Sequence, residues 1–136
     1  MKRSTKVSSS RRTQRKLLYS APSNIRRKIM SCRLSKENRA KHLVRSLPIR
    51  KNDVVKILKG KAKNKTGKVT AVYRRKWVIH VDKITREKQN QQPVNIPIKP
   101  SNCVIETLHL DKDRKNLIER ASKASKNLKN KVVTKN

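Results

Sequence analysis

The chain has 136 residues, of which 39 are Lys or Arg and 8 are Asp or Glu, so its formal net charge is +31. This length leaves room for one modest domain with a small core, and the charge predicts a polyanionic partner. No apolar run is long enough to span a bilayer, and the basic residues are spread along the chain and do not lie on one face of a single amphipathic helix. Both features favour nucleic acid over a membrane and predict no membrane insertion.

Basic charge is spread over the three segments into which the sequence pattern divides the chain. Residues 1–47 carry 15 basic and 1 acidic side chains, residues 48–110 carry 15 and 4, and residues 111–136 carry 9 and 3. Because no segment is neutral, we expect nearly the whole surface to meet phosphate. This distribution argues against an enzyme with a basic localisation tag, and we expect no cofactor and no small-molecule substrate.

The first segment, residues 1–47, is predicted to be a basic arm with short helices. An apolar pair at helical spacing, Ile25 and Ile29, predicts one helix. Ser35 is a candidate N-cap of a second helix, whose first turn contains Glu37. The basic start has no apolar stretch behind it, so it does not predict a secretory signal, and we expect a protein of the cytosolic side.

The middle segment, residues 48–110, contains the sustained β-rich apolar runs. There are five of them: Val54 to Leu58, Val69 to Tyr73, Trp77 to Val81, Val94 to Ile98 and Cys103 to Leu108. Five short strands predict a mainly β fold built as a small barrel. In the third run we assign the face of Trp77, Ile79 and Val81 to the core. The prolines in and around the fourth run predict an edge or irregular strand.

The last segment, residues 111–136, is predicted to be a short helix followed by a basic tail. Asp111 and Asp113 stand where a helix N-terminus attracts anions, ahead of the apolar residues Leu117 and Ile118. The last dozen residues are rich in Lys, Asn and Ser, so we expect them to be disordered when free. The barrel would thus carry basic extended arms at both termini.

The loop between the first two predicted strands contains the chain's two glycines, Gly60 and Gly67. Glycine permits positive φ and close approach of another chain. Five lysines share the loop: Lys59, Lys61, Lys63, Lys65 and Lys68. This composition predicts contact with a phosphate backbone. The alternative is a solvated hairpin whose glycines only permit the turn.

The segment from Asp53 to Tyr73, DVVKILKGKAKNKTGKVTAVY, looks like a KOW motif. With three flanking blocks, Ala21 to Met30, Val44 to Lys51 and Leu110 to Lys115, it resembles the large-subunit ribosomal proteins called L twenty-six in eukaryotes and L twenty-four in bacteria. The similarity covers roughly residues 19–120. A KOW motif alone is weakly specific, because transcription elongation factors carry it too, but the flanking blocks follow in the right order.

The resemblance implies an SH3-like five-stranded barrel that binds large-subunit ribosomal RNA, assists assembly and lies near the polypeptide exit tunnel. The chain would then be a structural constituent of the ribosome and not an enzyme, with neighbouring large-subunit proteins as further partners. The resemblance also implies a location in cytoplasmic ribosomes, with passage through the nucleus or nucleolus during assembly.

Three loop residues can be matched to the family's motif. Gly67 matches its characteristic glycine, and Gly60 matches the glycine that opens the loop. Asn64 stands where the family usually has glycine, and the loop is one residue shorter, but Asn tolerates the left-handed region better than most residues. We expect Gly67→Val to impair incorporation into subunits, because a β-branched side chain resists positive φ and blocks close approach to RNA.

We expect basic side chains of the loops and arms to contact phosphates, and the guanidinium planes of Arg26 and Arg27 also to stack on unpaired bases. Recognition would follow RNA shape more than sequence, because the few aromatic residues make no stacking platform. Trp77 is assigned to the core, whereas Tyr19 fits either role. The predicted RNA-binding residues are Arg26, Arg27, Lys28, Arg50, Lys51, Lys59, Gly60, Lys61, Lys63, Asn64, Lys65, Gly67, Lys68, Arg74, Arg75, Lys76, Arg114 and Lys115.

Other classes of site find little support. Cys32 and Cys103 are far apart in the sequence and neither belongs to a C-x-x-C pair, so we predict no metal site and no disulfide. His42, His80 and His109 are scattered over the three segments, which argues against catalysis. The competing hypothesis is a KOW-containing transcription or RNA-processing factor, or a basic chromatin protein. Such factors usually place KOW domains in longer chains with acidic regions.

Overall fold

A computed structural model describes residues 7–133, with side chains up to residue 125. The helices are α1 (Arg11–Tyr19), α2 (Ser23–Ile29), α3 (Lys36–His42) and α4 (Lys112–Val133). The strands are β1 (Ser31–Leu34), β2 (Ser46–Pro48), β3 (Val54–Ile57), β4 (Thr66–Tyr73), β5 (Val78–Val81), β6 (Thr85–Glu87), β7 (Pro93–Asn95) and β8 (Cys103–Thr107), with a 3₁₀ turn at Pro100–Asn102. The fold is therefore mixed α/β around a β-rich centre.

Six strands form one sheet in the order β2-β1-β8-β3-β4-β5. Neighbouring strands are antiparallel except for β1 and β8, which are parallel. Strands β6 and β7 form a separate hairpin. Within residues 7–133, β2 and β5 do not pair with each other, so the sheet is not closed into the predicted barrel. A single bridge between Ile79 and Ile98 ties β5 to the segment that leads into β8.

The segment predicted as an N-terminal arm supplies two strands of this sheet. Strand β1 pairs in parallel with β8, where Arg33 lies opposite Val104, and β2 pairs with the other edge of β1. This main-chain pairing joins residues about seventy positions apart in the sequence. Strand β1 itself has only four residues, one of them charged, so its hydrophobic pattern is too short to predict a strand. The predicted boundary after residue 47 therefore falls inside the sheet, within β2.

The core lies where the faces of β3, β4, β5 and β8 meet. Its fully buried side chains include Leu47, Val55, Ile57, Val69, Ile79, Val81 and Ile105. Burial alternates along β3 and β5, as the period-2 pattern predicts. Ile79 and Val81 are thus confirmed as core residues. Trp77 instead lies in the turn before β5, with φ of 61°, and is only partly buried against the core.

The predicted helix starts are confirmed. The Ser35 hydroxyl accepts a hydrogen bond from the Asn38 amide at 3.3 Å, which caps α3. An Asp111 carboxylate oxygen accepts one from the Arg114 amide at 2.8 Å, which caps α4. Helix α4 is longer than the short helix predicted, and α1 was not predicted at all. Residues 1–6 and 134–136 of the two predicted arms lie outside the described residues.

Cys32 and Cys103 are distant in sequence but adjacent in the fold. Both are completely buried, and the Cys32 thiol donates a hydrogen bond to the Cys103 carbonyl at 2.9 Å. Burial raises the pKa of Cys32 to about 12 and that of Cys103 to about 11. Both thiols are free and neutral at physiological pH, so they behave as small apolar core residues.

Candidate nucleic-acid interface

The predicted basic residues separate into two surfaces at opposite ends of β4. The glycine and lysine loop ends where this strand begins, and the turn of residues 74–77 follows its last residue. Eight extended residues at about 3.3 Å each give a strand of roughly 26 Å. The two surfaces are therefore too far apart to contact one phosphate group.

The first surface, here called the lysine groove, lies between residues 59–62 of the loop and the β6–β7 hairpin. It has a volume of about 1210 Å³. Its apolar floor includes Ala62, Ile96 and Ile98, and its basic rim consists of Lys59, Lys61, Arg86, Lys88 and Lys99. The other loop lysines, Lys63, Lys65 and Lys68, are exposed and lie outside this lining. One wall was predicted from sequence, whereas the hairpin wall was not.

Main-chain hydrogen bonds fold the loop into a tight turn. The Lys63 amide donates to the Gly60 carbonyl at 3.1 Å, and the Asn64 amide donates to the Ile57 carbonyl at 2.8 Å. Gly60 has φ of +101° and Asn64 has φ of 67°, so both residues have positive φ. The expectation that Asn64 tolerates this conformation is confirmed. The loop thus presents its lysines from a defined backbone.

Gly67 has a different role from the one predicted. Its φ does not lie in the left-handed region. A Cβ atom at this position would lie 2.6 Å from Cγ1 of Val81 and 2.8 Å from the carbonyl oxygen of Asp82. The expectation that Gly67→Val would be opposed by a positive φ was therefore wrong. Glycine is required because β4 and the end of β5 approach too closely to leave room for a side chain.

The second surface, here called the arginine concavity, has a volume of about 740 Å³. Four guanidinium groups line it together with Asp113, Asn116 and Leu117: those of Arg27 from α2, Arg50 from the segment before β3, Arg74 from the β4–β5 turn and Arg120 from α4. A smaller neighbouring depression of about 510 Å³ shares Arg50 and Arg74 and adds Lys51. The fold thus brings together predicted residues from three separate sequence blocks.

Hydrogen bonds orient two of these guanidinium groups. Arg74 donates from Nη1 to the Ser23 hydroxyl at 2.9 Å. Arg50 donates from Nη1 to an Asp111 carboxylate oxygen at 2.5 Å, and both side chains are a little over a third exposed. The pKa of Asp111 is lowered, first by the hydrogen bond from the Arg114 amide and then by Arg50. Asp111 is therefore ionised at neutral pH and holds Arg50 in place.

Arg26 is engaged within the protein. Its Nε donates to the Ala21 carbonyl at 2.7 Å and its Nη1 to the Arg75 carbonyl at 3.4 Å, while its guanidinium lies 5.1 Å from the centre of the Trp77 ring. The Arg26 side chain therefore connects α2 to the β4–β5 turn. The aromatic ring that its guanidinium contacts is Trp77 of the same chain and not an RNA base. Lys28, Arg75 and Lys76 are exposed around this junction.

Arg114 does not belong to either surface. It is 4% exposed, and its two Nη atoms donate to the two carboxylate oxygens of the fully buried Asp53 at 2.5 and 2.9 Å. The same guanidinium donates to the carbonyls of Pro48 and His109. A guanidinium paired in this way is not accessible to RNA, so the prediction that Arg114 binds RNA was wrong. The next residue, Lys115, is exposed.

Sequence reasoning missed Arg120, the hairpin residues Arg86 and Lys88, and Lys99, which precedes the 3₁₀ turn. A helical signal was present for the first of these. Asp113, Asn116 and Arg120 are spaced i, i+3 and i+7, so one face of a helix carries all three. For the hairpin no local signal existed, because β6 is three exposed residues without alternation.

Among the described residues, no helix is both long and apolar enough to cross a membrane.

Similarity to known proteins identifies the family to which this chain belongs. A family model that describes the ribosomal proteins L26 of eukaryotes and the corresponding L24 proteins of archaea matches residues 8–121. The protein named "Large ribosomal subunit protein uL24" of Dictyostelium discoideum is 52% identical over 123 residues, which cover 90% of this chain and 88% of that protein.

Two yeast proteins show a similar degree of identity. The one named "Large ribosomal subunit protein uL24" of Schizosaccharomyces pombe is 48% identical over 120 residues, covering 88% of this chain and 95% of its own. "Large ribosomal subunit protein uL24A" of Saccharomyces cerevisiae is 50% identical over 119 residues, covering 88% and 94%. The resemblance inferred from the KOW segment and its flanking blocks is thereby confirmed. The chain belongs to the family of ribosomal proteins that comprises L26 of eukaryotes and its archaeal L24 counterparts.

Proposed function

We propose that the chain is a structural constituent of the large ribosomal subunit and that it binds ribosomal RNA through the lysine groove and the arginine concavity. The names of the relatives support the first part. The observation that carries the second part is the convergence of basic side chains from distant elements on two concave surfaces. Contacts of this kind read the shape of the phosphate backbone more than base sequence.

The RNA contacts that we propose fall into two groups. Those around the loop are Lys59, Gly60, Lys61, Lys63, Asn64, Lys65 and Lys68, joined by the hairpin residues Arg86 and Lys88 and by Lys99. Those at the other end of β4 are Arg27, Lys28, Arg50, Lys51, Arg74, Arg75, Lys76, Lys115 and Arg120. Arg26 and Gly67 act through the backbone that they position.

We also propose that the KOW segment forms an SH3-like unit. Its support is the antiparallel succession of β3, β4 and β5, with β8 pairing back onto β3. Register irregularities at Val54/Val55 and at Val69/Ala71 bend these strands in the way that a strongly curved sheet requires.

The family resemblance supports three further proposals. The protein assists assembly of the large subunit, lies near the polypeptide exit tunnel among neighbouring ribosomal proteins, and works in cytoplasmic ribosomes after passage through the nucleus or nucleolus. High net charge fits this role, because RNA phosphates remove the mutual repulsion of the basic side chains.

Sedimentation of cell extract in magnesium tests the proposed function. We expect the protein to migrate with free large subunits and with whole ribosomes, and to follow the large subunit when magnesium is lowered. Crosslinks from Lys61 and Arg74 should then reach ribosomal RNA. Co-migration with RNA polymerase or with chromatin would support the competing assignment to a transcription or chromatin factor and would overturn this one.

A further inference from the structure

We infer that the arginine concavity is a preformed site for two neighbouring phosphate groups of an RNA backbone, as occur where the backbone bends sharply. The inference rests on the proposed function and assigns a ligand to one of its two surfaces. Four elements that are separate in sequence each contribute one guanidinium to this single depression. A guanidinium is planar and donates two parallel hydrogen bonds, so it matches the oxygens of a phosphate group.

The charges of the concavity match this ligand. Arg27, Arg50, Arg74 and Arg120 face Asp113 within the lining, and Asp111 pairs with Arg50 from its edge. Four guanidinium groups against two carboxylates leave two uncompensated positive charges. Two phosphodiester groups carry the same amount of negative charge, so their binding offsets the excess of these guanidinium groups over the carboxylates, and Lys51 beside the site adds further positive charge. A single phosphodiester would leave one guanidinium charge uncompensated in a partly enclosed space.

The site is also held in shape before any ligand binds. The Arg50 main-chain amide donates to buried Asp53 at 2.9 Å, and its side chain donates to Asp111. Asp53 also binds Arg114, which lies in the first turn of α4, so the same buried carboxylate fixes Arg50 and the helix that carries Arg120. Long side chains lose rotamer entropy when they bind, and groups already oriented by the protein lose less of it.

The lysine groove lacks this organisation and provides the comparison. The charged groups on its rim are mainly ammonium groups, which are hydrated point charges on flexible stems. Replacement of arginine by lysine keeps charge but removes the two-pronged donor geometry. Such a replacement should therefore weaken RNA binding at the arginine concavity and leave it nearly unchanged at Arg86 on the lysine groove.

The test compares the double variant Arg50→Lys and Arg74→Lys with the control Arg86→Lys, all of unchanged net charge. Affinity for ribosomal RNA isolated from large subunits is measured at moderate salt, after circular dichroism has established equal folding. Loss of two charge-assisted hydrogen-bond pairs predicts a fall in affinity on the order of tenfold or more for the double variant. The control should stay within about twofold of the parent chain.

A second readout uses pyrophosphate as the probe. In nuclear magnetic resonance spectra of the full chain, the Nε–H signals of Arg27, Arg50, Arg74 and Arg120 should shift together and saturate at one concentration. Equal affinity of the double variant and the control would overturn the inference, as would graded shifts that follow exposure over all arginines. In that case RNA binding by the parent chain would still stand. Absence of any binding to ribosomal RNA would overturn the proposed function as well.

Discussion

Asp53 accepts hydrogen bonds from the main-chain amides of Arg50 and His109 and from both Nη atoms of Arg114. The carboxylate is completely buried, and a buried charge is tolerated only when it is paired and hydrogen-bonded. These contacts join the segment before β3, the segment after β8 and the start of α4. One carboxylate thus links the sheet to the C-terminal helix.

Removal of the Arg114 guanidinium should be strongly destabilising. We expect Arg114→Met to lower the free energy of unfolding by about 3–5 kcal/mol, because Asp53 would stay buried without its cation. Urea denaturation followed by circular dichroism measures the change. The control is Lys115→Met at the adjacent exposed position, which should change stability by less than about 0.5 kcal/mol. Equal stability of the two variants would show that the ion pair is not a structural link.

Gly67 gives a second prediction for a single residue. We expect Gly67→Ala to cost about 1–3 kcal/mol, because the added Cβ would meet Val81 and the main chain of Asp82. Gly60→Ala is the matched control, since nothing lies within 4 Å of a Cβ there and only the positive φ opposes it. That cost should be about 1–2 kcal/mol. An unchanged urea midpoint for Gly67→Ala would contradict the close packing of β4 on β5.

At the scale of elements, helix α4 begins on a carboxylate whose charge state matters. Asp111 caps the helix through the Arg114 amide and binds the Arg50 side chain, and both contacts favour the ionised form. Its pKa is lowered below the usual 3.8 in the folded chain. The stabilisation is therefore present above the unfolded pKa and is lost as pH falls through the lower folded value.

This linkage predicts how the start of α4 responds to acid. In an amide spectrum recorded from about pH 6 down to about pH 2, the Arg114 amide should report a titration with its midpoint below the usual carboxyl pKa of 3.8. Asp111→Asn keeps a capping oxygen but has no charge to lose, so the same amide should then lack this titration. A midpoint above 3.8 in the parent chain would contradict the capping contact and the Arg50 ion pair.

Elements with a local signal were predictable from sequence, and those that depend on distant partners were not. The Ser35 cap, the core face of β5 and the turn of the glycine and lysine loop follow from spacing and residue type within a few positions. Strand β1 forms because it pairs in parallel with β8. This partner is distant in the sequence, and the residues near β1 contain no signal that predicts the pairing. The fourth run is an edge strand of irregular pairing, as its prolines predicted, but its two partners were not predictable. Its first half pairs with β6, whereas Ile98 bridges to Ile79.

The candidate site divides in a similar way. Charge and glycine placement indicated which loops to propose as phosphate contacts, because those signals are local in the sequence, and these contacts stay predictions. Arg114 was wrongly assigned to the RNA-binding residues because its partner Asp53 lies 61 residues away in the sequence. The local sequence pattern does not distinguish an arginine that will be buried from one that will be exposed. The grouping of Arg27, Arg50 and Arg74 likewise required the fold that brings their elements together.

At the scale of the whole molecule, two basic surfaces lie at opposite ends of β4, a strand whose fully extended length is roughly 26 Å. Together with basic residues in every segment, this arrangement suits a protein that braces separate stretches of RNA. Each phosphate contact releases condensed counterions, so affinity should fall steeply with salt. Each loop lysine that contacts a phosphate should add its own share to the slope of this salt dependence.

The most direct test is the salt dependence of binding to ribosomal RNA from large subunits, measured for the full chain and for a variant with Lys59, Lys61 and Lys63 replaced by Gln. We predict that the logarithm of the affinity falls linearly with the logarithm of salt concentration, and that the variant's slope is shallower by about 0.7–0.9 for each lost contact. A parent chain whose binding ignores ionic strength, or a variant with an unchanged slope, would contradict the account.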